Sequence, residues 1–122
     1  MNIEGFREFC LSLKGAQEKL PFSKSNSEYD KELLVFYVVD KWFCFVNPDK
    51  FGFCDLKCDP EEVIELQERY DGIKPGYHMN KKHWISVYFN KDVPDTKIKE
   101  LVQKSYNLII GGLSNKQKES LN

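Results

Sequence analysis

The chain has 122 residues, of which 41% are hydrophobic, 14% aromatic and 30% charged, and its net charge is −1. Those values suit one folded domain with a modest core and exclude a disordered segment. They also exclude a histone-like, strongly basic nucleic-acid binder, so any anion binding must rest on local asymmetry.

In chain order, Ile3, Phe6, Cys10 and Leu13 recur at three- and four-residue spacing. With Asn2 as N-cap and Gly15 past the end, they predict an amphipathic first helix. Residues 16–22 read as a short edge strand ended by Pro21, and residues 23–31 as a polar loop. Residues 33–39 and 42–46 are β-branched and aromatic runs around an Asp40-Lys41 turn, a hairpin signal without a turn glycine. Asn47-Pro48-Asp49 breaks the pattern. Residues 51–57 form another strand, with Phe51, Phe53 and Asp55 on one face and Cys54, Leu56 and Cys58 nearer the core.

Asp59-Pro60-Glu61-Glu62 opens a second helix: Asp59 caps it, Pro60 suits its first turn and Glu62 completes a capping box. Val63, Leu66 and Tyr70, with Ile64 nearby, form its apolar stripe, and Gly72 closes it. Residues 84–89 alternate, with Trp84, Ser86 and Tyr88 opposite Ile85, Val87 and Phe89. Pro94 or Asp95 opens a last helix with Ile98, Leu101, Val102, Ser105, Tyr106 and Ile109 on one side. Gly111-Gly112 stops it, and residues 114–122 read as a polar, frayed tail. Helices set apart from strands joined by short turns give a single α+β domain over residues 1–122: two layers, an antiparallel sheet with helices on one face.

No apolar run is long enough to span a membrane. The N-terminal residues carry acids where a signal peptide would be basic and then apolar. A cytoplasmic monomer is expected, with Cys10, Cys44, Cys54 and Cys58 as free thiols.

The segment 72–84 stands out. It holds both histidines, Lys74, Lys81, Lys82, Trp84 and a Pro-Gly turn, with no carboxylate. Residues 59–71, by contrast, carry Asp59, Glu61, Glu62, Glu65, Glu68 and Asp71 against Arg69. Read as an ordered loop, 72–84 suggests contact with something negative or planar. Lys57, Lys74, Lys81 and Lys82 are candidates for phosphates, Tyr77 for stacking on a base, and His78 and Asn80 for hydrogen bonds. Four phosphate contacts would give a salt slope of roughly −3 to −4 on duplex DNA. Gly76 would let backbone and ligand approach closely. Trp84 reads as a strand residue packed against Trp42 or a helix. An acidic protein chain is the alternative partner for the loop.

Cys54, Cys58, His78 and His83 superficially match zinc spacing. The cysteines straddle a strand end and a helix cap rather than a knuckle turn, so no metal and no cofactor is expected. Nor is an enzyme: Gly-x-Ser-x-Gly, P-loop, dinucleotide and His-Glu-x-x-His motifs are all missing. A Cys58/His78 nucleophile pair has no identifiable third group.

Leu56-Lys57-Cys58-Asp59-Pro60-Glu61, then Pro75-Gly76-Tyr77-His78-Met79-Asn80-Lys81-Lys82-His83-Trp84, then Ser105-Tyr106-Asn107-Leu108 resemble the MmcQ/YjbR family of small bacterial proteins. The likeness covers nearly the whole chain. It implies a double-wing, frataxin-like (CyaY-like) or secretion-chaperone-like α+β fold, and a DNA-binding role on duplex or single strands. Leu66-Gln67 and Tyr70-Asp71 stand where the family pattern has Leu-Arg and Tyr-Pro.

Overall fold

The computed structural model describes residues 1–121. Its elements run α1 (Ile3–Ser12), β1 (Gln17–Lys19), α2 (Glu28–Lys31), β2 (Leu34–Val38), β3 (Lys41–Val46), β4 (Phe53–Lys57), α3 (Pro60–Arg69), β5 (Ile73–Pro75), β6 (Trp84–Tyr88), α4 (Asp95–Gly111) and α5 (Asn115–Glu119). The strands make one antiparallel sheet in the order β1-β2-β3-β4-β6-β5. The α+β expectation holds.

Alternation on the strands sorts side chains to two faces. Phe36, Val38, Cys44, Val46, Cys54, Leu56, Ile85 and Val87 join Phe6 and Cys10 of α1, Val63 and Leu66 of α3, and Ile98, Val102 and Ile109 of α4 in the main core. This is the helix face. The opposite face holds a smaller cluster of Leu33, Val35, Phe45 and Trp84, with Tyr29, Trp42 and Met79 packed on it. α2 and the 76–83 loop roof it and Phe22 lies against Trp42, so the second face is partly covered rather than bare.

Local chemistry explains the principal ends. Asn2 Oδ1 accepts the Gly5 N–H at 2.8 Å, and Asp59 Oδ1 accepts the Glu61 N–H at 3.0 Å. Glu62 does not complete a capping box; its carboxylate stands 3.6 Å from Lys104 Nζ instead. The hairpin turn is Val39-Asp40, not Asp40-Lys41, because Val38 pairs with Lys41. Both turn residues are left-handed, at φ 47° and 62°, the twist a two-residue hairpin demands.

One irregularity welds sheet to helix. Phe36 pairs with Cys44 and Tyr37 with Trp42, leaving Phe43 bulged. The buried Ser105 hydroxyl of α4 enters that break. It donates to the Phe43 carbonyl and accepts the Lys57 N–H at 2.9 Å. A polar residue on the buried stripe of α4 is thereby satisfied on both sides.

Four further expectations are corrected. Residues 23–31 are not all loop: Ser27 Oγ caps α2 by accepting the Asp30 N–H at 3.2 Å. Phe51 lies outside β4 and on the helix face, its ring 3.9 Å from that of Phe89 and stacked on it. Gly72 has no left-handed φ; a side chain there would meet Asp92 Oδ1 and Lys91 Cβ, each at 3.0 Å. The tail is not frayed through 121: Ser114 and Gln117 form a capping box on α5, and Leu121 packs against the core.

Candidate functional site

The second face is organised around one rung. Lys19, Val35, Phe45, Asp55, Ser86 and Lys74 are successive register partners across all six strands. The rung passes from aliphatic to aromatic to acidic within a few strand spacings. Asp55 is fully buried there.

An ionised carboxylate in that position is costly. Burial pushes Asp55 up to about 7, against the opposing pull of the Ser86 hydrogen bond, the Tyr77 N–H and the Lys81 charge. The Ser86 hydroxyl donates to Asp55 Oδ1 and accepts the Tyr77 N–H at 3.0 Å. This relay ties the 76–83 loop to the sheet. Asp55 Oδ2 has no hydrogen-bond partner.

Aromatic rings surround the carboxylate. Tyr29 of α2 stacks on Phe53 with centroids 6.2 Å apart and meets Tyr77 edge-on at 5.7 Å. Phe53 reaches Tyr88 at 5.0 Å, and Tyr77 lies 3.9 Å from the ring of His78. The Tyr29 hydroxyl is buried without a partner and pushed up to about 12, first by burial and then by Tyr77, Asp55, Tyr88 and Asp30. Asn47 anchors α2 over this site: its Nδ2 donates to the Tyr29 carbonyl at 3.0 Å, and its Oδ1 accepts from Asp49 and Lys50.

The two roof segments meet at Asp30 and His78. His78 Nε2 stands 3.7 Å from Asp30 Oδ2, and Asp30 Oδ1 is buried without a partner. His78 adopts a left-handed φ of 60°. Beside this pair is a cavity of about 270 Å³ lined by Phe22, Asp30, Leu33, Trp42, Phe45, His78 and Met79.

A sequence profile described as YjbR matches residues 11–108. The chain belongs to the YjbR family. Among YjbR relatives, YbdF of Escherichia coli O157:H7 is 36% identical over 102 residues, covering 83% of this chain and 84% of its own. YjbR of Escherichia coli K12 is 25% identical over 121 residues, covering 99% and 98%. The crystal structure of the Deinococcus radiodurans protein DR2400 superposes with a TM-score of 0.84 at 31% identity, over 98% of this chain and 87% of that one. A Pseudomonas syringae protein superposes at 0.71 and 30% identity, over 88% and 98%.

Within this YjbR domain the residues singled out from sequence take different places. Residues 72–84 are not one loop, since β5 pairs with β6 at Ile73–Val87, Lys74–Ser86 and Pro75–Ile85. Alternation puts Lys57 and Lys74 on the second face, with Asp55 and Ser86. Lys57 sits at the end of β4, where it also lines a separate cavity with Cys58, Glu62 and Lys104. The charge of Lys74 bears on Asp92. Lys81 Nζ is spent inside the loop, donating to the Gly76 carbonyl at 2.8 Å. Lys82 is exposed. Asn80 builds the loop: its Oδ1 accepts the Lys82 N–H at 2.8 Å and its carbonyl the His83 N–H at 3.1 Å.

Gly76 serves the chain itself. A side chain there would stand 2.7 Å from Trp84 Cβ and 2.9 Å from the Trp84 carbonyl. Trp84 is buried against Phe45, with ring centroids 5.8 Å apart. The cysteines and histidines do not converge: Cys54 and Cys58 belong to the helix-face core, His78 to the other face. Among the described residues no three His, Cys, Asp or Glu side chains are grouped as metal ligands would be. Burial, then Glu62 and Asp59, push the Cys58 thiol up to about 11, which keeps it protonated and unreactive near neutrality.

The sequence reading missed Lys19, Tyr29, Asp30 and Asp55. Lys19 Nζ lies 4.4 Å over the Tyr37 ring and 5.6 Å from that of Trp42. An acid at the middle of a strand covered on both faces is the signal that could have found Asp55. Among the described residues no helix is long and apolar enough to cross a membrane.

Proposed function

We propose that this YjbR-family chain is a non-enzymatic, cytoplasmic nucleic-acid-binding module that works as a monomer without metal or cofactor. It meets the phosphate backbone with the second face of its sheet. The observation that carries the reading is the set of lysines that strand alternation brings to one face. Strand alternation gives the second face Lys19, Lys57 and Lys74, beside the loop with Lys81 and Lys82, while the acids of α3 ride on the helix layer. On the same face Asp55 is buried and Asp30 is 21% exposed, while Glu28 of α2 is exposed and pairs with Lys31. Lysines neutralise phosphates without reading bases. The exposed His78 and its neighbour Tyr77 offer ring faces to an unpaired base.

The test is fluorescence anisotropy with labelled duplex and single-stranded DNA at several salt concentrations. Lys74→Glu combined with Lys82→Glu is the informative variant, because it spares the Lys81–Gly76 hydrogen bond that holds the loop. Wild type should bind with a salt slope of roughly −3 to −4, and the variant should lose roughly two units of slope. No binding at low salt, or an unchanged variant, refutes the reading. A second reading, an adaptor that docks an acidic protein chain on the same face, draws on the exposed Leu20 and Phe22, the latter ring 5.8 Å from Trp42. Retention of a partner protein after nuclease treatment would favour it.

A further inference from the structure

We propose that the cavity between α2 and the 76–83 loop is a binding site for a small organic cation, an amine or amidinium carried on a flat apolar body. At about 270 Å³ the space admits only a small ligand. Its walls are the rings of Phe22, Trp42 and Phe45 with Leu33 and Met79, which match an apolar, planar body. Aromatic faces are electron-rich and favour a cation over an anion. The molecule already uses them so: the ammonium of Lys19 lies 5.6 Å from the Trp42 ring.

Asp30 selects the sign of the charge. Its side chain is 21% exposed and its Oδ2 faces His78 Nε2 at 3.7 Å, beyond hydrogen-bond length, while Oδ1 is sealed from solvent. Among the described residues no lysine or arginine pairs with it. An ammonium or amidinium in the cavity would bring the charge-assisted donors this carboxylate lacks. A carboxylate ligand would face like-charge repulsion, and a neutral hydrocarbon would leave the oxygen unmet. His78, 58% exposed, stands at the mouth rather than the floor. The inference is independent of nucleic-acid binding, since it rests on Asp30 and the aromatic walls and not on the lysines.

The experiment is a two-dimensional NMR titration of the full chain with phenethylamine and benzamidine, and with phenylacetate as the probe of like shape and opposite charge. Saturable shifts are expected at the amides of Trp42, His78 and Met79 with the cations. Affinity should fall roughly tenfold or more for phenylacetate, and for phenethylamine on Asp30→Asn. Absence of saturable shifts with both cations overturns the proposal, as does equal affinity for phenethylamine and phenylacetate. A folded Asp30→Asn that keeps its affinity also overturns it. If that variant loses its folded spectrum, the wild-type comparison of amine with acid decides alone. The polyanion-free titration can fail while DNA binding holds, and the reverse.

Discussion

The two faces of the sheet obey different rules. On the helix face, Phe6, Phe36, Phe43, Ile98 and Val102 are fully buried, and the polar intruder Ser105 has both a donor and an acceptor for its hydroxyl. On the second face, Asp55 Oδ2, Tyr29 Oη and Asp30 Oδ1 are all buried without partners, and His78 holds a left-handed backbone. Native interiors pair nearly all their polar groups, so three unpaired atoms among the described residues set the region under the roof apart from the helix-face core. The contrast teaches where each property resides: cohesion on the helix side, unmet chemistry on the other.

The largest effect expected from breaking this division is at Phe6. Its ring meets Phe36, Phe51 and Phe89 edge-on at 6.3, 5.7 and 5.3 Å, and it is 1% exposed. Phe6→Ala should cost about 3–5 kcal/mol in urea unfolding. Tyr77→Ala, on the second face, should cost under about 2 kcal/mol. Equal costs would show that the roof carries as much of the stability as the core does.

Asp55 gives the next effect, and its sign is set by burial. Its folded-state value of about 7 lies above the usual 3.8, so the folded protein keeps a proton that the unfolded chain has released. The stabilising contribution of protonated Asp55 is complete below the unfolded value. It is lost as pH rises through about 7. Between pH 5 and 8 wild type should lose roughly 2–3 kcal/mol relative to Asp55→Asn. Urea titrations of both proteins at the two pH values measure this. A difference that does not change with pH would place Asp55 in a wetter setting than the rung provides.

Those two sites also show what was legible in the sequence and what was not. The stripes of α1, α3 and α4 repeat at helical spacing over ten or more residues, so spacing alone assigns Phe6, Val63 and Ile98 to a core. The alternation of 84–89 and the Asp59-Pro60 start survive intact for the same local reason. What failed was non-local or short. The three residues of β5 become a strand only by pairing with β6, and Pro75 argued against one. The four residues of α2 are too few to show a period. Gly76 reads as a ligand-facing glycine until the Trp84 backbone is seen against it. The lysines were visible, but not that Lys81 turns inward while Lys74 shares a rung with Asp55. Asp30 and Asp55 lie 25 residues apart in sequence, and only the register of β4 under the α2 roof brings them to one face.

The smallest effect separates incidental strain from strain that belongs to the site. Left-handed non-glycine residues occur at both places, Val39 and Asp40 at the hairpin tip and His78 in the roof. Val39 is the harder case physically, because a β-branched side chain at φ 47° crowds its own backbone. Asparagine tolerates this region and suits the first position of such a turn. Val39→Asn forfeits part of the Val39 contact with the helix-face core. The relief should still leave a net gain of about 0.5–1 kcal/mol in urea unfolding. It should leave the salt dependence of DNA binding and the amine titration unchanged, because the turn lies off the second-face rung. A gain in stability accompanied by altered binding would mean that the β2–β3 tip and the roof are mechanically joined, and that the two faces are less separate than their packing implies.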